Sequence, residues 1–329
     1  TGKSVAAPAP VDTAAEAGKV NSKFGGVQIG TITYSWRSMP GGLENIIKYC
    51  QEANISSIEL MGGDLEAYLG APENPMMKFF RRQASQPAAQ PGEKPAARRM
   101  GPPKFTPEQQ AEIDKYKEEV KAWRLGLDLS KVEGARKLLS DAGISVHIVK
   151  MQPSGMGSDE EVDYAFKVAK AMGAKAVTDE INLETAKRVA PFAEKHGMYM
   201  AFHNHMQYAE EGFSCDPILA ISPSIMLNFD AGHFFGSTGI HPNEMIKKYH
   251  DRIYSIHLKD KTGPTTGDQP NTNQVWGQGE MPLEDVLLLI KQEKWPIYCD
   301  IELEYDIKPW SDSVKEVGTC VKYARQILM

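Results

Sequence analysis

Between Ile225 and Asp260 the chain twice runs through a strand-length apolar stretch and stops in ionisable residues. The first is Ile225-Met-Leu-Asn-Phe-Asp230-Ala-Gly-His233, the second Ile253-Tyr-Ser-Ile-His257-Leu-Lys259-Asp260. Apolar runs of that length suit strands buried on both faces. Burying Asp, His and Lys at their ends is costly unless those groups do something. One architecture gathers such ends. In a (β/α)8 barrel the C-terminal ends of the parallel strands form the active face, and several strands contribute chemistry there. The expected fold is therefore α/β, a (β/α)8 (TIM) barrel.

The rest of the chain keeps that rhythm. Apolar, β-branched segments are expected to be strands at 27–34, 55–60, 144–149, 174–180, 198–205, 225–230, 253–258 and 296–304. Helical periodicity falls between them, at 42–53, 108–123, 130–142, 159–172, 183–196, 241–249, 281–293 and 311–328. This alternation is the α/β signal, and residues 24–329 read as a single barrel domain.

Two stretches break the rhythm. Residues 1–23 are rich in Ala, Pro, Ser and Lys and read as a flexible leader. The chain opens on Thr1 and not Met, so the natural N-terminus is expected to be missing. Such a leader is common after a removed export signal, which makes a periplasmic location one expectation and a cytoplasmic one the alternative. Thr1-Gly-Lys-Ser4 lacks the strand and first glycine of a phosphate loop. Residues 72–107 hold Pro87, Pro91, Pro95, Pro102, Pro103 and Pro107, too many for regular helix or strand. They read as a long Pro-rich insertion after strand two, bordering the barrel mouth. Its Arg81, Arg82, Arg98 and Arg99 either meet an anion or belong to a solvated loop. Helix resumes at Glu108 behind Thr106-Pro107, a cap followed by proline at the first helical position.

Composition narrows the partners. A formal charge of −6 disfavours nucleic acid, whose phosphates ask for a basic face. No apolar run approaches the roughly 20 residues of a membrane span. Cys50, Cys215, Cys299 and Cys320 show no paired spacing, so neither a zinc ribbon nor a thioredoxin motif is present. A small-molecule substrate is expected, and a homo-oligomer is left open.

The candidate chemistry stands late in strands four to eight: Glu180, His203 with His205, Asp230, His257 and Glu302. Residues two apart on a strand share a face, which groups His203 with His205, His257 with Lys259, and Glu302 with Glu304. Imidazoles and carboxylates converging on one mouth make a site for one divalent metal ion. Without thiolates the donor set suits Mn, Co, Mg, Fe or Zn and does not choose among them. Glu59, late in strand two, is either an active-face carboxylate or a salt-bridged strand end. Trp36, His147, His233 and Glu304 complete the candidate substrate contacts, with His233 alternatively a helix-start or ligand-supporting residue and Gly232 a tight-turn position.

Phe202-His-Asn-His205, Asn228-Phe-Asp-Ala-Gly-His233, Ile256-His-Leu-Lys-Asp260 and Ile301-Glu-Leu-Glu304 together carry a family resemblance. The chain from about Gly26 onward resembles the xylose-isomerase-like sugar phosphate isomerase/epimerase superfamily. Its members are metal-dependent barrels that include ketose epimerases, hydroxypyruvate isomerases, inosose dehydratase and an abasic-site endonuclease branch. The His-Asn-His variant looks most like the inosose-dehydratase-like members.

That resemblance implies four ligands, Glu, Asp, His and Glu, on strands five to eight. Asp230, His257 and Glu302 match the last three. Strand five offers His203 where relatives have Glu, so the fourth ligand is His203, His205 or Glu180 reaching across from strand four. Glu180 is the favoured choice, because a second carboxylate balances a divalent charge better.

The implied activity is a metal-dependent isomerase or epimerase on a sugar or keto-sugar. It would work by proton abstraction next to a carbonyl through an enediolate. A lyase or dehydratase on a keto-sugar or keto-glycoside is the alternative, and a phosphodiesterase the lesser one. Glu180 and Glu302 are the expected acid and base, with His203 and Lys259 assisting. Lys259 either has its pKa lowered beside a cation or forms a salt bridge with Glu302 or Glu304.

Overall fold

Eight parallel strands close into a ring in a computed structural model that describes residues 20–76 and 105–329. They are β1 (Val27–Ile32), β2 (Ser57–Met61), β3 (Ser145–Lys150), β4 (Ala176–Glu180), β5 (Tyr199–His203), β6 (Ile225–Asp230), β7 (Ile253–Leu258) and β8 (Tyr298–Ile301). Each pairs with the next in sequence, and β8 returns to β1. The helices are α1 (Leu43–Ala53), α2 (Gly62–Tyr68), α3 (Pro107–Leu125), α4 (Leu129–Asp141), α5 (Asp159–Ala171) and α6 (Leu183–His196). They continue as α7 (Asp216–Leu219), α8 (Ala231–Thr238), α9 (Pro242–Tyr249), α10 (Leu283–Glu293) and α11 (Ser313–Leu328). The chain is a (β/α)8 barrel.

Apolar packing divides in two. A large cluster fills the layer where strand residues such as Ile29, Phe202, Phe229 and Ile256 meet helix residues such as Leu43, Phe166 and Val286. A small separate one, of Ile148, Ala176, Ala201, Met226 and Tyr254, draws on β3 to β7 and plugs the interior. Strands β6 and β7 are buried at every position, which is why their sequences read as continuous apolar runs.

Three strands end short of expectation. β1 stops at Ile32 and turns into a 3-10 segment, Thr33–Trp36. β5 ends at His203, so His205 lies beyond the sheet. β8 ends at Ile301, so Glu302 and Glu304 stand on the following loop. The short helices α2, α7 and α8 went unanticipated, and α2 and α8 carry glycines in their first turns that read as loop residues. Gly232 in fact lies inside α8, whose first turn is capped by the Asp230 side chain accepting the His233 N–H at 2.6 Å. Gly232 is required because a Cβ there would overlap the Lys259 side chain and sit 2.6 Å from the Lys259 carbonyl oxygen.

Most of the insertion, residues 77–104 with its four arginines, lies outside the described residues, as do residues 1–19 of the leader. The chain returns through α3, which starts with a capping box between Thr106 and Gln109. Arg124 near its end docks it. The guanidinium gives two hydrogen bonds to Glu66 on α2, at 2.8 and 3.0 Å, and one to Glu161 on α5, at 3.0 Å. Tyr164 donates to the same Glu66 at 3.1 Å. All three charged side chains are at most 15% exposed. Arg124→Met is therefore expected to strand two carboxylates and cost about 3–5 kcal/mol, against near neutrality for removing the whole group. Urea unfolding checks this; an unchanged midpoint would show that the triad contributes no stability.

The four cysteines are free and buried. No helix among the described residues is long and apolar enough to cross a membrane.

Candidate metal centre

Four successive strands deliver one donor each to a common point. His203 ends β5, Asp230 ends β6, His257 is the next-to-last residue of β7 and Glu302 follows β8. Their donor atoms all lie within 4.8 Å of one another, and all four residues are buried. His203 Nε2 is 3.3 Å from Asp230 Oδ2, and His257 Nδ1 is 2.8 Å from Glu302 Oε2. The wider separations, His203 to Glu302 and His257 to Asp230, are both 3.9 Å. Ligands about 2.1 Å from a shared ion stand about 3.0–3.4 Å apart. The four atoms bracket that spacing, and two imidazoles with two carboxylates are a donor set that divalent ions take. These residues fit one divalent metal ion.

Supporting contacts aim the ligands. Glu59 is fully buried and accepts from His257 Nε2 at 2.8 Å and from the Asn228 amide at 2.7 Å. Burial alone would raise the Glu59 pKa, but the His257 imidazole outweighs it and the carboxyl is held below its usual range. His257 is correspondingly raised, burial being overcome by Glu59 and Glu302. A metal ion would have to displace the Nδ1 proton that these carboxylates favour, while Nε2–H stays on Glu59 and fixes the tautomer whose Nδ1 ligates. The middle residue of His-Asn-His has a matching role. Asn204 accepts the Asp230 N–H at 2.9 Å and donates to the Asp230 carbonyl at 3.1 Å, tying the ends of β5 and β6 together. Glu59→Gln keeps the shape and loses the charge behind His257. It is expected to weaken metal affinity about 10–100-fold, with little change in far-UV circular dichroism. Competition with a chelating dye measures it; unaltered affinity would confine Glu59 to a packing role.

A second group lies on the solvent side. Glu180, at the end of β4, is 2.8 Å from His205 Nδ1, 3.5 Å from His203 Nδ1 and 3.4 Å from Lys150 Nζ. Burial would raise the Glu180 pKa, yet hydrogen bonds from His203 and His205 hold it well below the usual range. His205 is raised by the same carboxylate. Glu180 thus meets the buried group only through His203, whose ring touches both sets. Charge balance favours Glu180 over His203 as the fourth ligand; the structure instead puts His203 with the other three.

Lys259 bridges the centre. Its ammonium lies 2.9 Å from Asp230, 2.8 Å from Glu302 and 2.8 Å from Glu304. It also meets His233 Nε2 at 3.0 Å. Burial lowers the Lys259 pKa, but those three carboxylates overcome it and hold the group protonated. Of the two expectations for Lys259, the ion pair is the one seen. Glu304 and His233 come together at the same place, 3.4 Å apart.

Two expected substrate contacts lie elsewhere. His147 sits inside the barrel between Ser57 at 2.8 Å and Asp300 at 2.7 Å, stacked on Tyr298. Trp36 is buried in the outer core against Tyr49. Glu59, as described, is covered by His257 and Asn228. Residues that sequence reading passed over are Lys150, Asn204 and Asn228. Lys150 ends β3 as the others end their strands, so the same rule would have found it.

A closed (β/α)8 barrel with two histidines, an aspartate and a glutamate gathered at the C-terminal ends of β5 to β8 defines the class. Residues 115–322 match the family described as xylose isomerase-like TIM barrel, and the chain belongs to that family. An inosose dehydratase of Clostridium botulinum (strain Alaska E43 / Type E3) is 28% identical over 137 residues, 36% of this chain and 45% of that protein. The chain thus spans less than half the length of the curated relatives it matches. Among solved structures, a sugar phosphate isomerase/epimerase from Parabacteroides distasonis ATCC 8503 superposes with a TM-score of 0.53 at 17% identity, covering 96% of this chain and 98% of that one. The IOLI protein with a binding zinc atom gives 0.55 at 12% identity, over 92% and 98%.

Proposed function

We propose that the chain is a divalent-metal-dependent isomerase or epimerase acting on a sugar or keto-sugar by proton transfer next to a carbonyl. The observation that carries this is the convergence of His203, Asp230, His257 and Glu302 within 4.8 Å. Those residues would hold the ion. When bound, it would supply Lewis-acid stabilisation of negative charge developing on a carbonyl oxygen.

The chain's own groups handle the proton. Glu180 is 37% exposed, the most open carboxylate around the centre, and His205 beside it is more open still. Glu180 would take the proton from the carbon next to the carbonyl, and His205 would steady the carboxylate and pass the proton outward. Lys259, held protonated across the mouth, would donate a hydrogen bond to a substrate oxygen. Glu302, which adjoins Lys259, would assist proton return.

A second reading, a lyase or dehydratase on a keto-sugar or keto-glycoside, is favoured by the inosose dehydratase similarity. It shares the first step and differs in what leaves. One experiment tests both. The protein is loaded with Mn2+ and incubated with keto-sugars in D2O, and carbon-bound deuterium is followed by NMR. Deuterium next to the carbonyl with all oxygens retained supports the isomerase; deuterium with loss of water or an alcohol supports the lyase. Turnover without deuterium at any carbon would rule out proton transfer in either form.

A further inference from the structure

Gly232 and Gly236 lie four residues apart on α8 and so share one face of the helix. That face packs on the segment that continues β7. A Cβ at 232 would overlap Lys259, and a Cβ at 236 would sit 2.7 Å from Lys261 Cε and overlap Asn271 Oδ1. The helix is notched twice, once for each of two lysines that alternate along an extended segment.

The two ammoniums are treated differently. Lys259 is met by three carboxylates. Lys261 is only 3% exposed, and among the described residues its ammonium takes part in no hydrogen bond or ion pair. Asp230, Glu304 and Glu302 act on it only through space. Burial, and then the neighbouring Lys259, pull its pKa below the usual lysine value. Asn271 adds a second unmet group. It holds a left-handed backbone, φ 52°, and its buried Oδ1 has no partner. Its amide nitrogen reaches only the Met206 sulfur, at 3.3 Å. Turned over about its last bond, the amide aims N–H donors at the point beside Lys261.

An ammonium set among packed side chains without a counter-charge is costly, and the Lys261 tip keeps contact with solvent, from which an anion can reach it. We infer that Lys261 and Asn271 form an oxyanion subsite on the rim of the candidate metal centre, taking a carboxylate or phosphate carried by the substrate. The inference rests on the reading of that centre as a keto-sugar site and narrows its substrate to an acidic sugar derivative. Lys261 springs from the backbone about 6.6 Å beyond Lys259, since an extended chain rises about 3.3 Å per residue. That matches the reach of a sugar from its keto end to its far end.

The test uses the full chain loaded with Mn2+. Calorimetry compares three probes: D-fructose, 5-keto-D-gluconate and D-fructose 6-phosphate. At least one anion is expected to bind about 10-fold or more tightly than fructose, the value of a charge-assisted hydrogen bond. Which anion wins tells carboxylate from phosphate. Lys261→Met should bring that anion level with fructose while leaving fructose affinity unchanged. Asn271→Gly, which keeps the positive φ, should reduce the preference in part and guards against misfolding of the first variant. Equal affinities in the unaltered protein, a preference that survives Lys261→Met, or no binding of any probe would each overturn the subsite. Deuterium uptake read in parallel separates the two claims. Exchange on fructose without anion preference removes the subsite alone, and anion preference without exchange removes the proton-transfer reading alone.

Discussion

Alanine at Asp230, His257 or Glu302, one at a time, is expected to strip the protein of its divalent ion. The unaltered chain should carry about one ion after dialysis, because among the described residues the four-donor set shares His203 and His257 with the other two candidate groups, so filling it leaves each of those short of a ligand. Each variant should carry less than about 0.1, since losing even a group behind a ligand costs about 10–100-fold in affinity and losing the ligand costs more. Deuterium uptake should fall at least about a thousandfold with it, the scale of removing the main charge stabiliser from a proton-transfer site. Elemental analysis by mass spectrometry reads the first number and NMR the second. His203→Ala and Glu180→Ala then separate the two groups: the first should lose the ion, the second should keep it and lose exchange. Full metal retention in all three of the first variants would sink the assignment, and metal loss only in Glu180→Ala would move the fourth ligand to β4.

The pieces of this site differ in how plainly the sequence shows them. Strand ends rich in ionisable residues are a local pattern, and Asp230, His257 and Lys259 follow from it directly. So does the common face of His257 and Lys259, because a period of two is a backbone property. Depth is not local. His147 and Glu59 look like active-face residues in the sequence, but one is held by Ser57 and Asp300 in the interior and the other is covered by His257 and Asn228. Choosing between Glu180 and His203 needed relative strand positions: Glu180 pairs with His203 across β4 and β5, and only the barrel's curvature decides which side chain reaches Asp230. The glycines of α8 are further still from sequence logic. Gly232 reads as a turn because glycine usually marks one. Its actual reason is the stem of Lys259 on another element, a packing fact that no local rule contains.

Lys259→Met should make folding depend on the metal. Without an ion, the Lys259 ammonium is the nearest positive charge to Asp230, Glu302 and Glu304 at once, at 2.8 to 2.9 Å. Asp230 is fully buried and Glu302 nearly so. Removing the ammonium leaves these carboxylates without their main compensation, a loss of about 3–5 kcal/mol for breaking a buried pair. For a chain of this size that lowers the metal-free Tm by roughly 5 °C. Added Mn2+ changes the balance, because a divalent ion on Asp230 and Glu302 supplies the charge that the lysine took with it. The variant should therefore gain far more Tm from Mn2+ than the unaltered protein does. Removing a cation from beside the ligands should also leave its metal affinity equal or tighter, since like charges in one cavity compete. Scanning calorimetry with and without a chelator measures both effects. The same Tm loss with and without Mn2+ would mean that Lys259 and the ion do not share their carboxylates, and the four-ligand site would then have to be moved away from Asp230 and Glu302.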